Sequence, residues 1–195
     1  MRRLINLTIL TVFMAVAGLG QQKVVHFKKL QEFLPTAAVK DFKREKPTGT
    51  TQTAMGMSTS EASVRFTRTV KEMQEMEDEA GKKRKEEVDV THEITIKISD
   101  MSAMPFAVWA MAFQQQDYEN ETEEGHEKST TVKEAYKGVE KVQSGSYRSC
   151  QLQFSVGSRF LVEANGSGTD DVKLLYTFVE SMDLAKLEKT VPDKK

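Results

Sequence analysis

Three histidines, one cysteine and a scatter of carboxylates are the groups in this 195-residue chain with which chemistry could be done, and their spacing limits that chemistry. A zincin-type hydrolase needs His-Glu followed one helical turn later by a second His, so that both imidazoles share a helix face. His92-Glu93 runs on instead into Ile94, Thr95 and Ile96, and His126-Glu127 into Lys128, Ser129 and Thr130. With His26, His92 and His126 far apart and a single cysteine, no structural zinc set is expected, and neither a metal nor a cofactor is assigned. His92 falls on the apolar side of an alternating run and reads as a hydrogen-bonded core histidine in preference to a catalytic base. Asp100 ends that run, where helix initiation accounts for it as well as catalysis does. Cys150 shares the face of Leu152 and Phe154 and reads as a small buried hydrophobe, with a reactive exported thiol as the competing reading. Gly166-Ser167-Gly168 is too short for a nucleophile elbow or a phosphate loop and reads as a turn. Asn120-Glu121-Thr122 and Asn165-Gly166-Ser167 match the glycosylation acceptor pattern, which matters only in a eukaryotic secretory pathway. No catalytic residue is assigned.

Binding is better represented. Residues 103–113 are apolar almost without interruption, and Met104, Phe106, Trp109, Met111 and Phe113 are side chains suited to adaptable apolar contact. Two readings compete: a core helix lodged between layers, or the lining of an apolar pocket or partner surface. Eleven residues are too few to span a bilayer. The acidic stretch 117–127 lacks the ligand spacing of an EF-hand and reads as a solvated loop.

The amino terminus sets the compartment. Arg2 and Arg3 precede the uncharged run 4–20, with Leu10, Val12, Phe13, Met14 and Val16 as an apolar stretch and Gly18 and Gly20 as small residues before a cut. This is the anatomy of a Sec-type signal peptide over residues 1–20, implying a periplasmic or secreted protein. An uncleaved membrane anchor is the alternative, and the absence of a cysteine after the apolar run excludes a lipobox. Loss of residues 1–20 moves the formal charge from −1 to about −3, which supplies no basic field for nucleic acid.

Elements follow from periodicity. Phe27, Leu30 and Leu34 recur at helical spacing until Pro35, and short strands are expected over 39–45 and 50–57. Ala62, Val64, Phe66 and Val70 alternate with polar residues, as do Val88, Val90, His92, Ile94, Ile96 and Ile98, and these two runs should pair as an antiparallel hairpin. Residues 71–87 then form its charged extension, with opposite charges facing across the pair. A solvated tip and a docking arm are both compatible with such a run, and a short helix carrying Met73 and Met76 competes with the hairpin. Strands over 127–132, 135–142, 150–156 and 159–164 complete a second block. A final helix carries Val172, Leu175, Val179 and Met182 on one stripe, with Phe178 beside it, and residues 190–195 are a polar tail. Strands in blocks between helical patterns predict an α+β domain over 21–189, mainly antiparallel sheet with N-terminal, central and C-terminal helices packed on it.

This order of elements resembles a group of uncharacterised exported bacterial proteins with a PsbP-like α/β sandwich fold. The resemblance rests on Phe33-Leu34-Pro35, Met55-Gly56 followed by Ser60-Glu61-Ala62, Ile98-Ser99-Asp100, and Gly157-Ser158-Arg159-Phe160. It implies a fold and a compartment and carries no reaction or site residues. The expectation is a non-enzymatic module of the periplasm or envelope that binds an apolar small molecule or an envelope protein through the Met104 to Phe113 segment. The alternatives are a hydrolase-type enzyme with dispersed residues, or an envelope protein anchored by residues 1–20.

Overall fold

The computed structural model describes residues 23–36, 39, 41–54, 57–77, 83–102, 118–145 and 147–192. Helix α1 (Phe27–Gln31) is followed by strands β1 (Lys43–Arg44), β2 (Thr48–Ala54), β3 (Met57–Glu77), β4 (Lys83–Asp100), β5 (Glu119–Thr122), β6 (Gly125–Val132), β7 (Tyr136–Gln143), β8 (Ser149–Val156) and β9 (Phe160–Ser167), then helices α2 (Val172–Glu180) and α3 (Leu184–Glu188). All nine strands join one antiparallel sheet in the order β1-β3-β4-β9-β8-β7-β6-β5, with β2 also on the outer side of β3. β5 to β9 form a meander, and β9 closes against β4, so the two strand blocks meet at the centre of the sheet.

The register explains the core. Ile96 lies between Val64 and Ala164, Ile98 between Ala62 and Val162, and Ile94 between Phe66 and Gly166, so side chains of one parity make a continuous apolar face. β8 extends that face with Cys150, Leu152, Phe154 and Val156, all buried. α2 covers it, packing on β7, β8 and β9. Leu175, Phe178 and Val179 point inward at helical spacing, Phe178 meets Phe66 at 4.5 Å and Phe42 edge-on at 5.4 Å between ring centroids, and Asp171 caps the helix by accepting from the Lys173 amide. The opposite face is polar, with Gln151 donating to Asn165 at 2.9 Å, Gln153 to Glu163 at 3.0 Å, and Lys97 paired with Glu163.

This architecture corrects the expected α+β class. Among the described residues the molecule is one large sheet with three short helices of five, nine and five residues, not a sandwich of sheet and substantial helices. β3 and β4 run for 21 and 18 residues through the expected charged extension, and two other local effects account for the difference. Glu119, Asn120, Glu121 and Thr122 form a strand, because a tight turn at Glu123 and Glu124 lets them pair with β6, where an unstructured acidic loop was expected. At the C-terminus the helical stripe is broken after Glu180, and Asp183 caps a separate helix by accepting from the Lys186 amide. The central helix expected over residues 103–113 lies outside the described residues.

The β3–β4 hairpin is present, pairing from Ser60↔Asp100 out to Glu77↔Lys83. β9 accompanies β4 only from Glu93 onward, and β1 reaches β3 only at Phe66 and Thr67. The ten pairs from Arg68↔His92 to Glu77↔Lys83 therefore stand beyond the rest of the sheet as a two-stranded arm, about 30 Å long at the usual strand rise.

Candidate functional site

The covered face changes character at β7. Following one row across the sheet, Val64, Ile96, Ala164 and Leu152 give way to Glu140 and then Lys128. The next row runs from Ile94 through Gly166, Cys150 and Val142 to His126. The result is a polar cluster at the margin of the apolar core, under Tyr176 of α2. Glu140, 6% exposed, accepts from Tyr176 Oη at 2.7 Å through Oε2, while Oε1 lies 3.2 Å from both His126 Nε2 and Lys128 Nζ. Tyr176 Oη also bonds Thr130 Oγ1 at 2.7 Å.

Burial opposes the charged form of Glu140, but the bonds from Tyr176, His126 and Lys128 outweigh it and hold the carboxyl below its ordinary range. Burial, with the Glu140 carboxylate beside it, pushes the Tyr176 phenol upward, so it stays a donor. A carboxylate offers only lone pairs, so Nε2 of a neutral His126 carries the hydrogen and Nδ1 is left as an acceptor. His126 is thus an oriented imidazole at the edge of solvent, its side chain 29% exposed.

His126 also lines a cleft of ≈ 270 Å³ where β5, β6 and β7 end, together with Asn120, Glu124, Glu127, Lys141 and Gln143. Gly125 makes this close approach of strands possible. Its φ is +149°, and a Cβ there would lie 1.9 Å from the Val142 carbonyl oxygen, so no other residue fits without moving β7. Lys141, paired with Glu127 at 3.3 Å, is shared with a second cavity of ≈ 310 Å³ lined by Ser149, Cys150, Gln151, Asn165 and Gly166. The first of them, beside His126, is a polar trough that offers amide, ammonium, carboxylate and imidazole groups together. Among the described residues no group of three or more His, Cys, Asp or Glu side chains is placed to hold a metal.

The residues singled out from the sequence are distributed differently. Met104, Phe106, Trp109, Met111 and Phe113 lie outside the described residues. His92 is 6% exposed, as its apolar parity indicates, and both ring nitrogens are engaged: Nδ1 by Arg68 Nε at 3.3 Å, and Nε2 by Glu72 Oε1 at 3.2 Å. Glu72 is held in turn by Arg148, and that bond, outweighing burial and assisted by His92, lowers its pKa. This cluster pins the base of the arm to the start of β8. Asp100 is also committed, accepting from the Val25 amide at 2.6 Å, the Ser102 amide at 3.0 Å, and Arg159 Nη2 at 2.7 Å, whose guanidinium reaches on to the Lys23 carbonyl. It fastens the segment before α1 to the end of β4. Cys150 is buried, and desolvation pushes its thiol up to about 12, far from a reactive thiolate. His26 caps α1 by accepting from the Lys28 amide, and Asn165 is engaged by Gln151 within β9.

The Glu140 cluster escaped the sequence reading. Its one signal was a charged residue on the parity of Val142 in an otherwise half-apolar strand, which marks a side chain turned toward the covered face. No protein-family model, curated protein or solved structure matches the chain. Among the described residues no helix is long and apolar enough to cross a membrane.

Proposed function

We propose that this chain is an exported, non-enzymatic binding module whose trough beside His126 takes a small polar ligand carrying both hydrogen-bond donors and acceptors. The observation that carries this reading is the His126–Glu140–Tyr176 arrangement: a buried carboxylate, held also by Tyr176 and Lys128, orients the His126 imidazole that lines the polar cleft. Preorganised polar groups at a cavity wall give orientation and selectivity to a bound molecule. The engagement of His92 and Asp100 in structural bonds supports binding over catalysis, and the pattern of residues 1–20 supports export. The lining of the trough favours a polar ligand at this position over the apolar one expected for the Met104 to Phe113 segment. Saturation-transfer NMR against a panel of amino acids, short peptides and monosaccharides tests the proposal. At least one class is expected to bind the wild type and to be lost in His126→Gln, whereas a panel that binds neither, or both equally, refutes it.

A second reading, a protein-docking module, is favoured by one feature, the arm. Five residue pairs, Met73↔Glu87 to Glu77↔Lys83, extend there beyond the His92–Glu72–Arg148 cluster, and Met73 is 63% exposed on it. Isolated two-stranded ribbons are marginal in water, so an arm of this length fits a segment that completes its packing on a partner.

A further inference from the structure

Several of the polar groups around the cleft beside His126 are already spent within the fold. The Lys141 ammonium is paired with Glu127 at 3.3 Å, and the Lys128 ammonium lies 3.2 Å from Glu140. Thr122 Oγ1 donates to the Gly125 carbonyl at 3.2 Å and accepts from the Glu124 amide at 3.3 Å, so this hydroxyl holds the turn between β5 and β6. A neutral His126 gives its Nε2 hydrogen to Glu140 and keeps a lone pair on Nδ1. Three kinds of group on the lining remain uncommitted. They are the Glu124 carboxylate, exposed at the turn and without an ion pair among the described residues, the Nδ1 lone pair, and the exposed side-chain amides of Asn120 and Gln143. Glu124 and Glu127 against Lys141, with His126 neutral, leave the lining with a single uncompensated negative charge.

We infer that the ligand of this cleft is a primary amine bound as its ammonium ion, with Glu124 as its countercharge. The inference rests on the polar-ligand reading above and narrows it to a cation. An ammonium brings a positive charge and only donors, which suits an unpaired carboxylate and an imidazole lone pair. A carboxylate or phosphate ligand meets the reverse: Glu124 repels it, and Lys141 could serve it only by giving up Glu127. Asn120 and Gln143 each carry an amide donor and an amide acceptor, and they serve a hydroxyl or amide elsewhere on the same molecule. The ligand class is therefore a small amine with a second, neutral polar group.

Titration of the full chain near neutral pH, followed by NMR, tests the assignment with matched probes. Glucosamine and alaninamide carry the amine; glucose and lactamide replace it with a hydroxyl, and lactate supplies a carboxylate. At least one amine should bind the wild type about tenfold or more tightly than its hydroxyl counterpart. Glu124→Gln should remove that margin and leave binding of the hydroxyl counterpart unchanged. Glu124 is exposed and holds its turn through its backbone amide, so the variant keeps the fold, which unchanged circular dichroism would confirm. Equal binding of amine and hydroxyl compounds, tighter binding of lactate, or a margin that survives Glu124→Gln would overturn the cation assignment while leaving the polar-ligand reading in place. A wild type that binds none of the five probes would overturn both.

Discussion

Asp100 and Glu140 are two buried carboxylates with opposite uses. Asp100, its side chain fully enclosed, satisfies two backbone amides and the Arg159 guanidinium, and its role is to close the fold around α1. Asp100→Asn keeps the shape but leaves the guanidinium without its charge partner, and the expected loss is about 3 kcal/mol in urea unfolding. Glu140 lies behind His126 at the margin of the core and holds groups that remain partly accessible. Because Glu140 and Glu72 both titrate below their ordinary range when folded, the native state binds fewer protons than the unfolded chain in mild acid. Their contribution is complete above the unfolded carboxyl value of about 4.3 and is lost as pH falls through the lowered native values. Urea midpoints measured from about pH 5 to about pH 3 should therefore decline, and Glu140→Gln should flatten that decline. The buried, structural character of His92 and Cys150 was legible from parity alone. The partners of His92 were not: Arg68 meets it only in the exact register of the hairpin, and Glu72, its other partner, is held by Arg148 from 76 residues away, which nothing local encodes.

The elements were most legible where one face is apolar and the other wet. Val64 and Phe66 with Ile94 to Ile98, and Leu152 to Val156 with Phe160 to Ala164, announce strands because a one-residue slip would turn every hydrophobic side chain outward. β5 was missed because all four of its residues are exposed, so no apolar period marks it and only the turn to β6 makes it a strand. The same reasoning separates arm from core. Replacing residues 74–86 with Asn-Gly leaves Met73↔Glu87 to close a short hairpin and keeps the Glu72 cluster. Thermal unfolding of this variant should stay within a few degrees of the wild type, since none of the described side chains removed is buried. In contrast, Phe178→Ala takes away a ring that touches Phe42 and Phe66 and should cost about 4 kcal/mol, measured in the same way.

At the scale of the whole molecule, a sheet with one face covered by short helices leaves two features outside the core, the trough where β5, β6 and β7 end and the projecting arm. The sequence pattern conveyed antiparallel strands in blocks and a charged hairpin, but it overstated the helices, since periodicity at 27–34 and 172–182 yields only short segments once the sheet sets the spacing between caps. The Glu140 cluster behind the trough was the least legible part, because it exists only where β7 is sandwiched between β6 and β8 and its charged row meets Tyr176. The most direct measurement is native mass spectrometry of the protein purified from its host's envelope, comparing wild type with His126→Gln. The account predicts a chain beginning near Gln21 that carries a small polar molecule, and a variant of the same length without it. A retained leader, or identical masses of bare chain for both proteins, would contradict it.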